Sequence, residues 1–274
     1  MTEPLRVGVA GIGVVGSSLT KLLQRQGNAF GARAGRSVAL AAYSARSRRE
    51  GRPELGDARF YDKAEGLAAD GDIDAFVELI GGADGVAFAA VKAALERGLP
   101  VVTANKAMLA AHGLELAALS ETHDAPLFYE AAVGGGIPVI KTLRESLAGN
   151  SIERVSGILN GTCNFILSCM ETENEPFDVC LKEAQRRGYA EADPTFDVGG
   201  LDTAHKLAII ASLAFGEKID VSAVAVEGIE QITLADLAAA DELGFRIKLL
   251  GVAERTPHGV EQRVCPTMVA KATP

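Results

Sequence analysis

The sequence has no tryptophan, the residue that most often anchors a chain at a membrane interface, and no apolar run in it approaches the roughly 20 residues of a membrane span. Basic charge is in deficit. A formal net charge of -9 argues against a general nucleic-acid binder, whose phosphate contacts want a basic face, although a local cationic pocket stays compatible with it. The chain turns apolar at Leu5 without a basic n-region or a long apolar h-region, so no signal peptide is visible and a cytoplasmic protein is expected. Cysteine is sparse. Cys163, Cys169, Cys180 and Cys265 form no C-x-x-C pair and meet no histidines at zinc-finger spacing, so they read as buried, reduced thiols. Even Cys163, which falls inside a motif, has no neighbouring base to activate it. Internal repeats and low-complexity linkers are missing too.

What the chain has is length and alternation. Its 274 residues exceed a typical single domain of about 100–150 residues, which makes two domains the starting expectation. Residues 5–10 read as a buried strand, 14–26 as a helix with Leu19, Leu22 and Leu23 on one face, 27–36 as a polar glycine-containing stretch, and 37–43 as a second strand. The rhythm continues through strands at 73–79, 100–103 and 126–130, with helices at 85–97 and 108–122 between them. Strands separated by helices imply a parallel sheet. After Gly134-Gly135-Gly136 the pattern changes to a strand at 152–159, helical segments at 162–171, 176–187 and 200–215, and strands near 221–227, 245–253 and 259–265. The expected architecture is α/β: a Rossmann-type, doubly wound parallel sheet over residues 1–140, followed by an α+β domain over 141–274.

Gly11-Ile12-Gly13-Val14-Val15-Gly16 matches G-x-G-x-x-G. Alone the pattern is weak, but here it follows a strand, opens a helix and sits in a βαβ unit, where its glycines let backbone approach a pyrophosphate at the helix N-terminus. An NAD-selective site places an acid at the end of the second strand. This strand ends Tyr43-Ser44-Ala45-Arg46-Ser47-Arg48-Arg49 instead. A guanidinium there suits a 2′-phosphate, so NADP is the expected dinucleotide; a solvated basic loop and dual use with NAD remain open. Gly11, Gly13, Val14, Val15, Gly16, Ser44 and Arg46 are the expected contacts, joined by Thr103 and Lys106 at the carboxyl end of the fourth strand.

Hydride exchange with a carbonyl needs a positioned nicotinamide, a proton donor at the oxygen and handles for the rest of the substrate. Asp202 and Lys206 stand four apart at the start of an apolar helix, so they share a face and each can bias the other's protonation; an exposed salt bridge accounts for the spacing equally well. Glu191, Asp193 and Asp197 precede them in a loop with proline and glycine, where they can converge on a cationic group such as a substrate ammonium. Metal ligation by these acids lacks D-x-D-x-D-G spacing, and His205 has no partner histidine nearby.

Several segments, in order, resemble homoserine dehydrogenase: Gly11–Gly16, Val77–Gly82, Val102–Lys106, Glu130–Pro138, Gly157–Thr162 and Gly188–Lys206. The glycine motif is common to many dehydrogenases, whereas Thr-Ala-Asn-Lys, Ile-Leu-Asn-Gly-Thr and Gly-Tyr-Ala-Glu-Ala-Asp-Pro-Thr together are specific. The resemblance implies reversible, NAD(P)H-dependent reduction of L-aspartate 4-semialdehyde to L-homoserine, at the branch toward threonine, isoleucine and methionine. It makes Lys206 the proton donor assisted by Asp202, gives Glu191 and Asp197 the amino-acid end of the substrate, and places Lys106 against cofactor and substrate. It further implies a monovalent cation, typically sodium, at Glu130, Val133, Gly135 and Ile137, and a homodimer formed through the second domain.

Two features depart from the family pattern. Cys163 stands where a second threonine is frequent, and the sequence ends at Pro274, whereas the family's catalytic unit normally continues into a segment that returns to the nucleotide domain with a glycine-rich loop. No appended regulatory domain is visible, so threonine feedback through one is not expected. Another amino-acid dehydrogenase on the same framework, or a truncated, weakly active dinucleotide-binding interaction module, are the competing readings at this point.

Overall fold

The computed structural model describes residues 3–48 and 53–273; Arg49, the last arginine of the basic run, lies outside the described residues. The chain forms two compact units, Met1–Val139 and Ile140–Pro274.

In the first unit, β1 (Leu5–Ala10), β2 (Val38–Ser44), β3 (Arg59–Tyr61), β4 (Ala75–Glu78), β5 (Val101–Thr103) and β6 (Leu127–Phe128) pair in parallel in the order β3-β2-β1-β4-β5-β6. Helices α1 (Val14–Ala34), α2 (Ala64–Ala68), α3 (Val86–Glu96) and α4 (Lys106–Thr122) connect them, and a short α5 (Glu130–Val133) follows β6. This is the doubly wound parallel sheet expected from the alternation. Chain order reverses between β1 and β4, and at such a switch point the loops leaving the strand carboxyl ends part to form a crevice. Val7 and Val9 of β1 pack with Ile12, Tyr43 and Val77 in the core beneath it.

Helix α1 overruns the expected end at residue 26 and continues to Ala34, stopping at Gly35 with a left-handed φ of 76°. The glycines that suggested a loop serve close packing instead. A Cβ on Gly27 would sit 2.7 Å from the Val38 carbonyl oxygen, and one on Gly31 would sit 3.1 Å from Ser37. Strand β3 has too few residues to show a period and was not anticipated. Its Arg59 bonds Asp70 and Asp72, each at 2.6 Å.

In the second unit, β7 (Arg154–Gly157), β8 (Val224–Val226), β9 (Phe245–Thr256) and β10 (Gly259–Ala270) form a mixed sheet in the order β7-β9-β10-β8. Strands β9 and β10 are one long antiparallel hairpin, and β8 joins β10 in parallel over Gln262–Val264 only. Pro266 therefore falls where β8 no longer flanks β10, which is how a proline persists inside a strand. Helices α6 (Gly161–Glu173), α7 (Phe177–Arg186), α8 (Leu201–Phe215) and α9 (Leu234–Glu242) complete the unit. Ile166, Leu167 and Met170 of α6 and Leu207, Ala208 and Ala211 of α8 share a buried core with Leu249, Ala253 and Val264 of the hairpin. Gly251 on β9 lets α8 lie close, since a Cβ there would meet Thr203 at 3.3 Å and Leu207 at 3.4 Å. All four cysteines are free. Among the described residues no helix is long and apolar enough to cross a membrane.

Candidate active site

In the first unit the glycine motif sits on the carboxyl edge of β1. Gly11 takes a φ of 99°, and a Cβ on it would lie 2.5 Å from the Leu79 carbonyl oxygen, so the loops after β1 and β4 meet there without room for a side chain. A Cβ on Gly16 would lie 1.9 Å from the Gly11 oxygen, which fixes the turn into α1. Gly13 differs. It caps α1 without a side-chain hydrogen bond, and a Cβ on it would have nothing within 4 Å. Its backbone thus opens on space at the positive end of a long helix, the environment that suits a pyrophosphate. The cleft beside it, about 500 Å³, is lined by Gly11, Gly13, Ser44, Arg46, Asp62 and Ile80 among others. Four expected cofactor residues therefore share one cavity, while Val14 and Val15 lie exposed at the start of α1.

Beside this cleft lies a buried polar network. Glu78, fully buried at the end of β4, accepts the Ile80 and Gly81 amides on Oε1 at 2.7 and 3.0 Å and the Thr103 hydroxyl on Oε2 at 2.5 Å. Thr103 in turn accepts the Asn105 amide at 3.0 Å, and the Asn105 side chain donates to the Gly82 carbonyl at 2.7 Å while capping α4 through Met108 N–H. The Thr103 side chain thus faces inward and holds the loop after β4. Lys106 follows as the first residue of α4 and is half-buried.

The residues expected to hold a cation occupy one short turn at the end of the unit. Gly134 N–H bonds the Glu130 carbonyl at 3.1 Å, Gly136 takes a φ of 86°, and Ile137 N–H returns to the Gly134 carbonyl at 3.0 Å. Among the described residues no group of three or more His, Cys, Asp or Glu could hold a metal ion. A cation on this turn would have one carboxylate and backbone carbonyls, an all-oxygen set suited to a hard ion of low charge.

In the second unit Gly200, with a φ of 86°, turns the chain into α8 and sets Asp202 in its first turn, with Lys206 one turn on. The Lys206 ammonium donates to Asp202 Oδ2 at 2.7 Å and to the Leu159 carbonyl at 2.9 Å. Asp202 keeps 5% of its side-chain exposure and Lys206 17%, which sets this pair apart from a helix-surface salt bridge. Asn160, between β7 and α6, donates from Nδ2 to Asp202 Oδ2 at 2.9 Å and to Asp197 Oδ1 at 2.8 Å. Glu191, Asp197, Asp202 and Lys206 line one cleft of about 580 Å³ with Tyr189 and Thr162, whose hydroxyl bonds the Tyr189 carbonyl at 2.7 Å.

Asp193 does not join them. Its carboxylate accepts the Thr195 hydroxyl at 2.7 Å and amide at 3.1 Å, bonds that hold its carboxyl below the usual range and tie it to the turn at Thr195–Val198. Cys163 backs the site with its thiol on the Asp197 carbonyl at 3.2 Å. Burial pushes that thiol up to about 12, helped by Asp197 and Asp202, so it is inert as a nucleophile.

The arrangement places a fixed ammonium and several carboxylates on one cleft, groups chemically able to exchange a proton with an oxygen and to meet a cation. Sequence reasoning missed two contributors. Asn160 precedes Gly-Thr at a helix start, a pattern that announces a cap but not a bridge to two acids. Asp62, in the cleft that Gly13 and Arg46 also line, follows the unanticipated β3.

Residues 11–130 match the family model described as the NAD binding domain of homoserine dehydrogenase, and residues 138–274 match the one described as homoserine dehydrogenase. The homoserine dehydrogenase of Pseudomonas aeruginosa is 46% identical over 97% of this chain and 61% of its own length. That of Neisseria gonorrhoeae is 44% identical over 98% and 62%. The crystal structure of a homoserine dehydrogenase from Thiobacillus denitrificans superposes with a TM-score of 0.93 at 44% identity, covering 98% of this chain and 62% of that one. The chain thus spans about 62% of the length of these relatives.

Proposed function

Because the chain belongs to the homoserine dehydrogenase family, we propose that it catalyses the reversible reduction of L-aspartate 4-semialdehyde to L-homoserine with a nicotinamide dinucleotide, NADP preferred. The observation that carries this reading is the Lys206–Asp202 pair, largely buried and hydrogen-bonded on a cleft that Glu191 and Asp197 also line.

When bound, the reduced nicotinamide supplies hydride to the carbonyl carbon. Lys206 gives a proton from Nζ to the carbonyl oxygen as negative charge builds there, and in the reverse direction takes it back from the hydroxyl. Asp202 and the Leu159 carbonyl hold the ammonium in place between reactions. Glu191 and Asp197 hold the substrate ammonium by charge. In the first unit the Gly13 backbone and the start of α1 receive the pyrophosphate, with Gly11, Val14, Val15 and Gly16 forming the turn. Ser44 and Arg46 take the 2′-phosphate, with Arg46 providing charge-assisted bonds. Asp62 lines the same cleft and favours a ribose hydroxyl over a phosphate, which supports some use of NAD. Lys106 and the backbone of Thr103 are proposed as further cofactor contacts, and Lys106 as a contact to the substrate as well.

The turn carrying Glu130, Val133, Gly135 and Ile137 supports a bound sodium ion. Potassium or lithium exchange should then alter the thermal midpoint, whereas indifference to the cation would remove the assignment. Family likeness supports a homodimer formed through the second unit, to be read by sedimentation velocity.

The central test is steady-state oxidation of NADPH on adding aspartate semialdehyde, compared with other amino-acid aldehydes. Turnover should be specific to the semialdehyde and reversible with L-homoserine and NADP. Faster turnover of a different aldehyde would replace this substrate with another on the same framework.

A further inference from the structure

We propose that Asn160 is a positioning residue for the proton donor: its carboxamide holds Asp202 and Asp197 in place, so that Lys206 presents one N–H to the cleft. The proposal rests on the catalytic role given to Lys206 above.

A carboxamide offers two N–H donors and an acceptor oxygen. All three are used here, in a residue only 4% exposed. Nδ2 donates to Asp197 Oδ1 and to Asp202 Oδ2, and Oδ1 accepts the Cys163 amide at 2.7 Å. The oxygen of Asp202 that Asn160 binds is the one that accepts the Lys206 ammonium, so the two donors share it. The preceding residue, Leu159, takes a second ammonium hydrogen on its carbonyl. Two consecutive residues therefore grip both ends of the pair. An ammonium has three hydrogens; two are spent on Asp202 and Leu159, and the third is left to the cleft that Lys206 lines.

The choice of an amide has a reason in charge. Asp197 and Asp202 are like charges brought to one amide group, and a donor standing between them offsets their mutual repulsion. An aspartate at position 160 would add a third negative charge. The amide is neutral at every pH, and it gives a hydrogen to each acid while accepting from the helix with its oxygen.

The competing role is structural, since Asn160 also caps α6. Asp, Ser and Asn cap helices with similar strength. Asn160→Asp and Asn160→Ser therefore keep the cap while removing the two-donor bridge, and the serine variant adds no charge. The measurements are kcat and KM for the semialdehyde, the dissociation constant of NADPH by fluorescence, the thermal midpoint, and the pH dependence of Lys206 acylation by acetic anhydride, read by mass spectrometry of its peptide. The last needs no turnover.

Both variants should lower kcat by about tenfold to a hundredfold, the scale of misplacing a reacting group, while NADPH binding is retained. In Asn160→Asp the acylation midpoint should also move to higher pH than in the parent protein, because an added carboxylate favours the charged ammonium. The alkaline limb of the reduction profile should follow it. Near-parental kcat with an unchanged acylation profile in both variants would reduce Asn160 to a helix cap, as would a fall in thermal midpoint with that profile unchanged. If the parent protein turns over no semialdehyde, the assigned reaction fails. The Asn160→Ser variant, which adds no charge, would then decide: a changed rate or midpoint of Lys206 acylation would uphold the positioning role, and a parental profile would overturn it.

Discussion

In the first unit the cleft is shaped where side chains are missing: Gly11 and Gly16 have no room for a Cβ, and Gly13 leaves backbone open to space. A buried carboxylate of this unit, Glu78, is spent on two backbone amides and a threonine hydroxyl, so it shapes a loop. In the second unit the cleft is lined by acids and an ammonium held on side-chain and carbonyl bonds. Under the proposed function the difference follows from what each half would recognise. A pyrophosphate is met well by a helix end and close backbone, whereas a proton must move to a particular atom and needs a titratable group at a fixed place. Substitutions should accordingly hurt affinity in the first unit and rate in the second.

The hardest test of that division is Lys206→Met. It should lower kcat by about 10²–10⁴-fold, the range for losing a general acid, with NADPH affinity by fluorescence titration near the parent value. Near-normal kcat with a lower melting temperature would return the pair to a structural salt bridge. Next in size is Arg46→Ala. Loss of a charge-assisted contact corresponds to about 1.5–3 kcal/mol, or roughly tenfold to a hundredfold in NADPH affinity. NADH affinity should barely change, and an equal loss for both dinucleotides would remove Arg46 from the 2′-phosphate.

Thr103→Val tests the buried network, since it strips a donor from the Glu78 carboxylate and an acceptor from the Asn105 amide. Chemical unfolding should show a loss of about 1.5–3 kcal/mol, as for a buried hydrogen bond to a charged group. A loss under about 0.5 kcal/mol, typical of surface sites, would mean the loop is held by other means. Gly13→Ala should sharpen the contrast further. The added methyl meets no protein atom within 4 Å, so stability should stay within about 0.5 kcal/mol of the parent protein, while NADPH binding weakens because the methyl stands where backbone approaches pyrophosphate. Unchanged NADPH affinity would dissociate this glycine from the cofactor.

The smallest expected effect is acid sensitivity. The hydrogen bond from Arg6 holds the Asp74 carboxyl below its ordinary value, and at Asp70 the Asp72 amide, the Tyr61 hydroxyl and Arg59 outweigh the upward push of burial. Both carboxyls bind protons more weakly in the folded than in the unfolded chain, so their contribution is present near neutrality and lost as pH falls below about 4. In the second unit Glu183 is held down at about 2 by hydrogen bonds from Arg186 and Arg187, and Asp193, Asp220 and Asp236 are held low by hydrogen bonds from Thr195, Ser222 and Thr233, but all four are solvated, so little of this becomes stability. Acid unfolding followed by residue-resolved NMR should therefore start in the first unit, and Asp74→Asn should flatten part of its pH dependence. Simultaneous loss of both units would show that these carboxyls do not set the order.

Much of this organisation was written locally. Strand and helix alternation, the glycine motif at the end of β1, and the i, i+4 spacing of Asp202 and Lys206 are relations among near neighbours, which is why they could be read along the chain. Gly27 and Gly31 were misread for the same reason. Their local preference is for a break, and only the approach of β2 explains why α1 passes through them. Strand β3 escaped because three residues carry no period, and Asp62 escaped with it.

Relations along the chain were enough for the alternating strands and helices, the glycine turn after β1, and which titratable residues crowd the loop before α8. Packing settled how those residues divide. It turned Asp193 onto Thr195, drew Asn160 to acids 37 and 42 positions away, and joined Thr103 to Glu78 across 25. Such pairings depend on which elements pack together, because a buried polar group must take whatever partner the fold brings within about 3 Å. No propensity of the residue or of its neighbours encodes that choice.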